Sequence, residues 1–424
     1  MIDQVNNNHQ KINNKAKKRP ILFQPAKWVF FTLFLFVFVF SGIITMLDVI
    51  PYRMGLVTFL IFPLFLIYGL KIDSVFVLYV LLALVIVISA IYNNTPVFQL
   101  LLFMRTLIFS YLIYYLVKVY VNKDNITTII RLAVLVGLIQ LPIIIFQFFT
   151  YDWLPARITN GMNLSSVDYD FGTFNFKGDY SLTFFLILLI VFLLFDKKRN
   201  YIIPHRLFVL VWLTITVLIA NADIAKGILL TVWGIYFVTH LNRKIGMYLL
   251  ILLALVLGVL LASGLWYKIG ADVTRKVDKE TQSILNGNGV EVYLSGGYAR
   301  GAAIYYFLNN KLLIVGDGPS KYVDPINKVF LRGNVGHIFT FYSEVGILGW
   351  LLSMMIFFQI AFKFTRRKLR LNRVTLIMLF SIFLLSFTSQ VMNDVSIVMI
   401  YSLVAVTYLI PARRHSHGEQ SASP

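Results

Sequence analysis

Residues 28–47 read WVFFTLFLFVFVFSGIITML, an uncharged apolar run containing six phenylalanines. As a helix rising 1.5 Å per residue, such a run covers about 30 Å, the thickness of a bilayer's hydrocarbon core. It lacks the apolar/polar alternation of a membrane-barrel strand. The stretch before it, 1–27, is polar, Asn-rich and basic. A run this long exceeds the core of a cleaved signal, so it is expected to stay as a first membrane helix.

The same pattern recurs outward along the chain. Further spans are expected at 54–70, 75–91, 97–120, 128–149, 180–195, 207–221, 224–240, 246–266, 338–362, 374–392 and 396–410. With 58% hydrophobic and 13% charged residues over 424 positions, the apolar surface exceeds what a soluble core of this length would hide. The expected class is an all-α membrane protein of about twelve transmembrane helices, with a large external loop between helices nine and ten. The expected organisation is a cytoplasmic basic tail (1–27), membrane helices one to nine (28–266, with an external loop at 151–179), the large external loop (267–337), membrane helices ten to twelve (338–410) and a cytoplasmic tail (411–424).

An even number of spans puts both termini on one side. That side collects roughly 23 Lys and Arg against about 5 acids, the positive-inside pattern, so both termini are expected in the cytoplasm. Clusters such as Lys197-Lys198-Arg199 and Arg366-Arg367-Lys368 sit just inside helix ends. The net charge of +19 therefore points to topology and anionic membrane lipids as partners, not to nucleic acid. There is no cysteine, and the six histidines are scattered, which argues against a metal site. The cytoplasmic connections carry no Walker loop or Rossmann fingerprint, so no nucleotide cofactor is expected.

In the large loop a helix-like segment runs from Tyr298 to Asn310 and is expected to lie at the membrane surface. Gly297-Tyr-Ala-Arg300-Gly301 opens it, Val315-Gly316-Asp317-Gly318-Pro319 follows, then come His337 and Glu344-Val-Gly346-Ile-Leu-Gly349-Trp350. This order resembles the signature region of the O-antigen ligase and polymerase superfamily: an Arg followed by a helix, a Gly-x-Gly segment, a His-containing polar stretch, and Glu-x-Gly-x-x-Gly opening a membrane helix. The resemblance covers about 55 residues plus the layout of helices and loop. Two positions depart from it. Ile338 follows His337 where ligases commonly carry Asn, and Asp223-Ile224-Ala225-Lys226 stands where the family often has Ser-Arg.

The resemblance implies a type C glycosyltransferase fold in the bacterial inner membrane. The activity it implies is transfer of a glycan from an undecaprenyl-diphosphate carrier to an acceptor hydroxyl on the outer face, without metal or nucleotide. Products of that class are O-antigen, lipopolysaccharide and capsule. A flippase and a chain-length regulator of the same pathway are implied partners. A polysaccharide polymerase is the reading adopted, with an O-antigen ligase as the alternative. A lipid-linked glycan flippase has a similar composition but would be expected to show paired repeats and broken midplane helices.

Negative charge grows on the leaving diphosphate, so cations near the outer surface are sought first. Arg300 occupies the family's Arg position and is the first candidate for diphosphate contact; Lys226, one turn inside the outer end of helix eight, is the second. Arg105 lies within the apolar run of helix four and is expected to face the bundle interior or a wet cavity. Arg157, near Asn160, Asp168 and Asp170, offers a cation and sugar-binding acceptors in the smaller loop. His337, just before helix ten, and Glu344, two turns deeper, are the candidates to orient or deprotonate the attacking hydroxyl. Gly346 and Gly349 are expected to permit close helix contact.

Overall fold

The computed structural model describes residues 25–42, 53–70, 72–122, 124–150, 171–174, 179–195, 203–220, 222–240, 314–320, 336–363 and 373–409. Among them every regular element is a helix and none is a strand. The helices are α1 (Pro25–Leu35, continuing as a π-helical turn over Phe36–Phe40), α2 (Arg53–Tyr68), α3 (Ser74–Tyr92), α4 (Val97–Tyr120), α5 (Ile126–Thr150), α6 (Asp179–Phe195), α7 (Arg206–Ile219), α8 (Asp223–His240), α9 (His337–Lys363), α10 (Arg373–Leu385) and α11 (Val395–Leu409). Four of these, α3, α4, α5 and α9, are long and apolar enough to cross a membrane. The run 246–266, the surface segment 298–310 and both tails lie outside the described residues.

The side chains turned outward are apolar: Leu66, Phe149, Ile91 and Leu230 are each at least 70% exposed. A protein dissolved in water would not present such a surface on every side. α9 lies along α3, α11 along α4 and α6, and α7 along α5 and α6. Large rings fill the interior, among them Phe30, Phe34, Phe38, Tyr114, Tyr115 and Tyr401.

Hydrogen bonds define two ends of the bundle. At one end Asp73 caps α3 by accepting from the Phe76 amide at 2.8 Å, and it also meets Lys118 and the Tyr114 hydroxyl. Gln359 donates to Ser74 at the same end. At the other end Ser89 donates to the Glu344 carbonyl at 3.0 Å. The pairs 74/359 and 89/344 are equally spaced on their helices, so α3 and this part of α9 run antiparallel. The polar turn between α3 and α4 (Asn93, Asn94, Thr95) therefore sits beside Glu344.

α9 is not one straight rod. Gly346 has φ +82° and ψ −177°, a conformation open only to glycine in practice. The His337 ring meets Ser353 Oγ at 2.9 Å, although the two residues are sixteen positions apart. In a straight helix that separation would be about 24 Å. The limb 337–345 must therefore fold back along the limb 347–363, with its start about 10 Å below the turn at Gly346. This corrects the order read from the sequence, in which a continuous helix put Glu344 deeper than His337. Glu344 is at the end of the bundle marked by the Asn93–Thr95 turn, and His337 is the deeper residue.

The short limb is closed at both ends by other parts of the chain. Its first amides donate to the connection between α10 and α11, from His337 to the Ser389 carbonyl and from Ile338 to the Ser386 carbonyl, both at 3.0 Å. Its last carbonyls, freed by the break, accept from Asp317 (to Ser343, 2.8 Å) and Gly318 (to Glu344, 3.0 Å). An apolar slab tolerates a broken helix when the liberated backbone groups find such partners. α10 has 13 residues and α11 has 15, about 20 and 22 Å long, and their connection supports the limb at its His337 end.

A second inserted piece is 171–174. Gln147 both donates to the Gly172 carbonyl and accepts from its amide, at 2.9 and 2.8 Å, while Gln140 does the same with the Thr173 hydroxyl and amide, at 2.8 and 3.0 Å. The Thr173 hydroxyl also reaches the Phe38 carbonyl, inside the π-helical turn of α1 where helical pairing is irregular.

Candidate functional site

The Gly-Asp-Gly segment and the Glu-x-Gly motif, separate in sequence, are one object in space. An added Cβ at Gly316 would lie 2.5 Å from the Gly346 amide nitrogen, and one at Gly346 would lie 2.2 Å from the Ile314 carbonyl oxygen. The two backbones touch, which requires glycine on both sides. Gly318, at φ +104°, lies close against the Thr95 and Asn93 side chains. Side chains then tie three elements together. Asn93 donates to the Gly316 carbonyl at 3.0 Å, the Ser320 hydroxyl donates to the Gln99 carbonyl at 2.9 Å, and the Ser320 amide donates to Glu344 Oε2 at 3.0 Å. Gly346 thus makes close backbone contact as its motif suggested, but the partner is a loop and not a helix.

Glu344 is 1% exposed. A carboxylate enclosed so completely needs donors, and the Ser320 amide is one of them. Its backbone carbonyl accepts from both Ser89 and Gly318.

His337 is fully enclosed; its ring lies 4.1 Å from that of Phe341 and its Nε2 faces Ser353. Its Nδ1 has no hydrogen-bond partner among the described residues. A buried polar nitrogen left in that condition costs about 1–3 kcal/mol and marks a place where another group belongs.

At the level of His337 lies a polar row, partly inside expected spans and partly, at Asn393 and Asp394, in the short break between two of them. Gln390 reaches the Thr340 hydroxyl and accepts from Asn393; Asn393 in turn meets Thr106 on α4, and Asp394 meets Ser181 on α6. Asp394 also caps α11 by accepting from the Ser396 and Ile397 amides at 2.8 and 3.2 Å. Residues 388–390 and 393–394 are all partly exposed. Polar side chains inside apolar segments were the signal available beforehand, as with Gln140 and Gln147, seven positions apart on one face of α5.

The sequence candidates divide. His337 and Glu344 are on the two ends of the same short limb. Lys226 is partly buried one turn into α8, beside buried Ala225, Ile228 and Leu229. Arg105 is exposed, on the face of α4 that also exposes Phe98, Leu101 and Ile108. Of the two placements expected for it, bundle interior or wet cavity, the first is taken by Phe103, Thr106, Phe109 and Ser110. Arg300 and Arg157 lie outside the described residues. No group of three or more potential metal ligands occurs among the described residues.

Compared with known proteins, the chain matches no family model and no curated sequence.

Proposed function

We propose that this chain is a polysaccharide polymerase of the cell membrane, extending a glycan carried on undecaprenyl diphosphate at the outer face. The observation that supports this reading best is the docking of the Gly-Asp-Gly segment against the broken Glu-x-Gly helix, with His337 at the base of the resulting limb. In the reaction the acceptor hydroxyl oxygen bonds to the anomeric carbon, the bond from that carbon to the diphosphate breaks, and the diphosphate leaves with the electron pair. The hydroxyl proton passes to His337 Nδ1, the nitrogen that Ser353 leaves uncommitted. Arg300 and Lys226 are assigned to the growing negative charge on the diphosphate.

A transporter reading draws on one observation, the interrupted α9. In that reading the unwound carbonyls serve a transported ion or substrate. Here the Ser343 and Glu344 carbonyls are occupied by the Asp317 and Gly318 amides and the Ser89 hydroxyl. The interruption is sealed by protein, which favours the enzyme.

Cells lacking the chain provide the test. The polymerase reading expects loss of long glycan chains with single capped units retained. Full-length chains stranded on the carrier lipid would instead identify a ligase, and units trapped on the cytoplasmic face a flippase.

A further inference from the structure

Glu344 occupies the position where three elements meet: the turn before α4, the segment 314–320 and the turn of α9 at Gly346. Its carboxylate accepts from the Ser320 amide, its carbonyl accepts from the Gly318 amide and the Ser89 hydroxyl, and Ser320 passes the linkage on to the Gln99 carbonyl. Its Oε2 is committed to the Ser320 amide. It also stands about 10 Å from the level of His337, beyond hydrogen-bond reach of a proton transferred there. We infer that Glu344 is a positioning residue whose carboxylate locks the segment 314–320 onto the turn of α9 at Gly346.

The alternative role, proton acceptor, makes a different demand. An acceptor must reach the reacting hydroxyl and lose its function when amidated. A positioning acceptor needs only an oxygen at the Oε2 location, which glutamine supplies and alanine does not.

The chain has no cysteine, so Ser320→Cys introduces a single thiol at a fully buried position next to the bond in question. Its reaction with a hydrophilic maleimide, in purified protein held in nanodiscs, reports how often the segment lifts away. In that background Glu344→Ala is expected to accelerate labelling at least about tenfold, the factor matching a lost hydrogen bond to a charged group. Glu344→Gln should stay within about threefold of the parent. Equal labelling rates in the Ala variant and the parent would overturn the lock, and so would a Gln variant as fast as Ala. This readout does not depend on glycan transfer, so it can fail while the proposed reaction stands.

The consequence for transfer rests on the proposed reaction. With the natural Ser320 in place, Glu344→Ala should slow transfer at least tenfold while leaving the acid side of the pH profile where it was. If the acid side disappeared with the carboxylate, Glu344 would be the proton acceptor, and the positioning role would be wrong.

Discussion

Gly346→Ala is the sharpest test of the folded-back α9. The alanine Cβ would stand 2.2 Å from the Ile314 carbonyl oxygen and 2.7 Å from the Val315 nitrogen, both backbone atoms that have no rotamer to escape into. A non-glycine residue at φ +82°, ψ −177° adds about 1–3 kcal/mol of strain. Relief requires the segment 314–320 to withdraw, losing the bonds from Asp317 and Gly318 at about 0.5–1.5 kcal/mol each. The sum is about 2–6 kcal/mol, which at roughly 2 °C per kcal/mol lowers the apparent melting temperature by about 4–12 °C. Gly234→Ala is the matched control: it lies on α8 with nothing within 4 Å of the added Cβ, and alanine is favoured over glycine in a helix by about 0.8–1.0 kcal/mol. Thermal unfolding in nanodiscs, followed by loss of monodisperse protein, should rank Gly346→Ala well below the parent and Gly234→Ala level with it or above. If both alanine variants melt with the parent, the backbones of 314–315 and 346 are not in contact, and the broken helix is refuted.

Three further outcomes are expected. Asn94→Cys and Asp124→Cys place thiols at opposite ends of the bundle, and an impermeant reagent on intact cells should label the first alone; labelling of Asp124→Cys would invert the proposed orientation. Arg300→Ala should abolish transfer with expression intact and Arg300→Lys restore only part of it, because an ammonium cannot grip two phosphate oxygens at once, and Lys226→Ala should be milder; wild-type turnover by Arg300→Ala in a reconstituted assay removes that residue from the mechanism. His337→Gln can still hydrogen-bond Ser353 but cannot take a proton, so it should keep the parent's melting temperature and lose about 10²-fold or more in transfer rate; near-normal turnover would make His337 a strut between the two limbs of α9.

The helical class was legible because lipid imposes it on long apolar runs, and the runs at 75–91 and 97–120 lie within α3 and α4 to within a few residues. What the runs hid were interruptions. The stretch 338–362 is predominantly apolar, so its hydropathy is the same whether it crosses once or folds at Gly346; the His337–Ser353 contact and the close approach of Ile314 distinguish the two. Likewise 374–392 averages to one apolar span, yet α10 ends at Leu385, where Ser386, Ser389 and Gln390 begin to bond across to α9. Arg105 was legible only in part for a related reason. An arginine in an apolar run signals that its head needs water or an anion, but says nothing about which face of α4 it occupies. The glycine motifs were the most legible part of the site, since Gly316 and Gly346 are both held at positive φ, but their mutual contact is a tertiary fact that spacing does not carry.

The fold of α9 also sets the level at which chemistry would take place. Over the nineteen residues of α3, about 28 Å, the Glu344 turn matches Ser89 near one end, whereas His337 matches Ser353, about 10 Å further in. On the proposed reading the hydroxyl is therefore deprotonated below the interface, and the glycosidic bond must descend to that level. The α10–α11 connection brings Thr388, Ser389, Gln390, Asn393 and Asp394, all partly exposed, to that region. Hydroxyl, amide and carboxylate groups are suited to sugar hydroxyls, and here they bond to one another and to Thr340, Thr106 and Ser181. The cations proposed for the diphosphate belong at the interface above. This vertical order, with charge held at the surface and proton transfer beneath it, follows from the single reversal at Gly346.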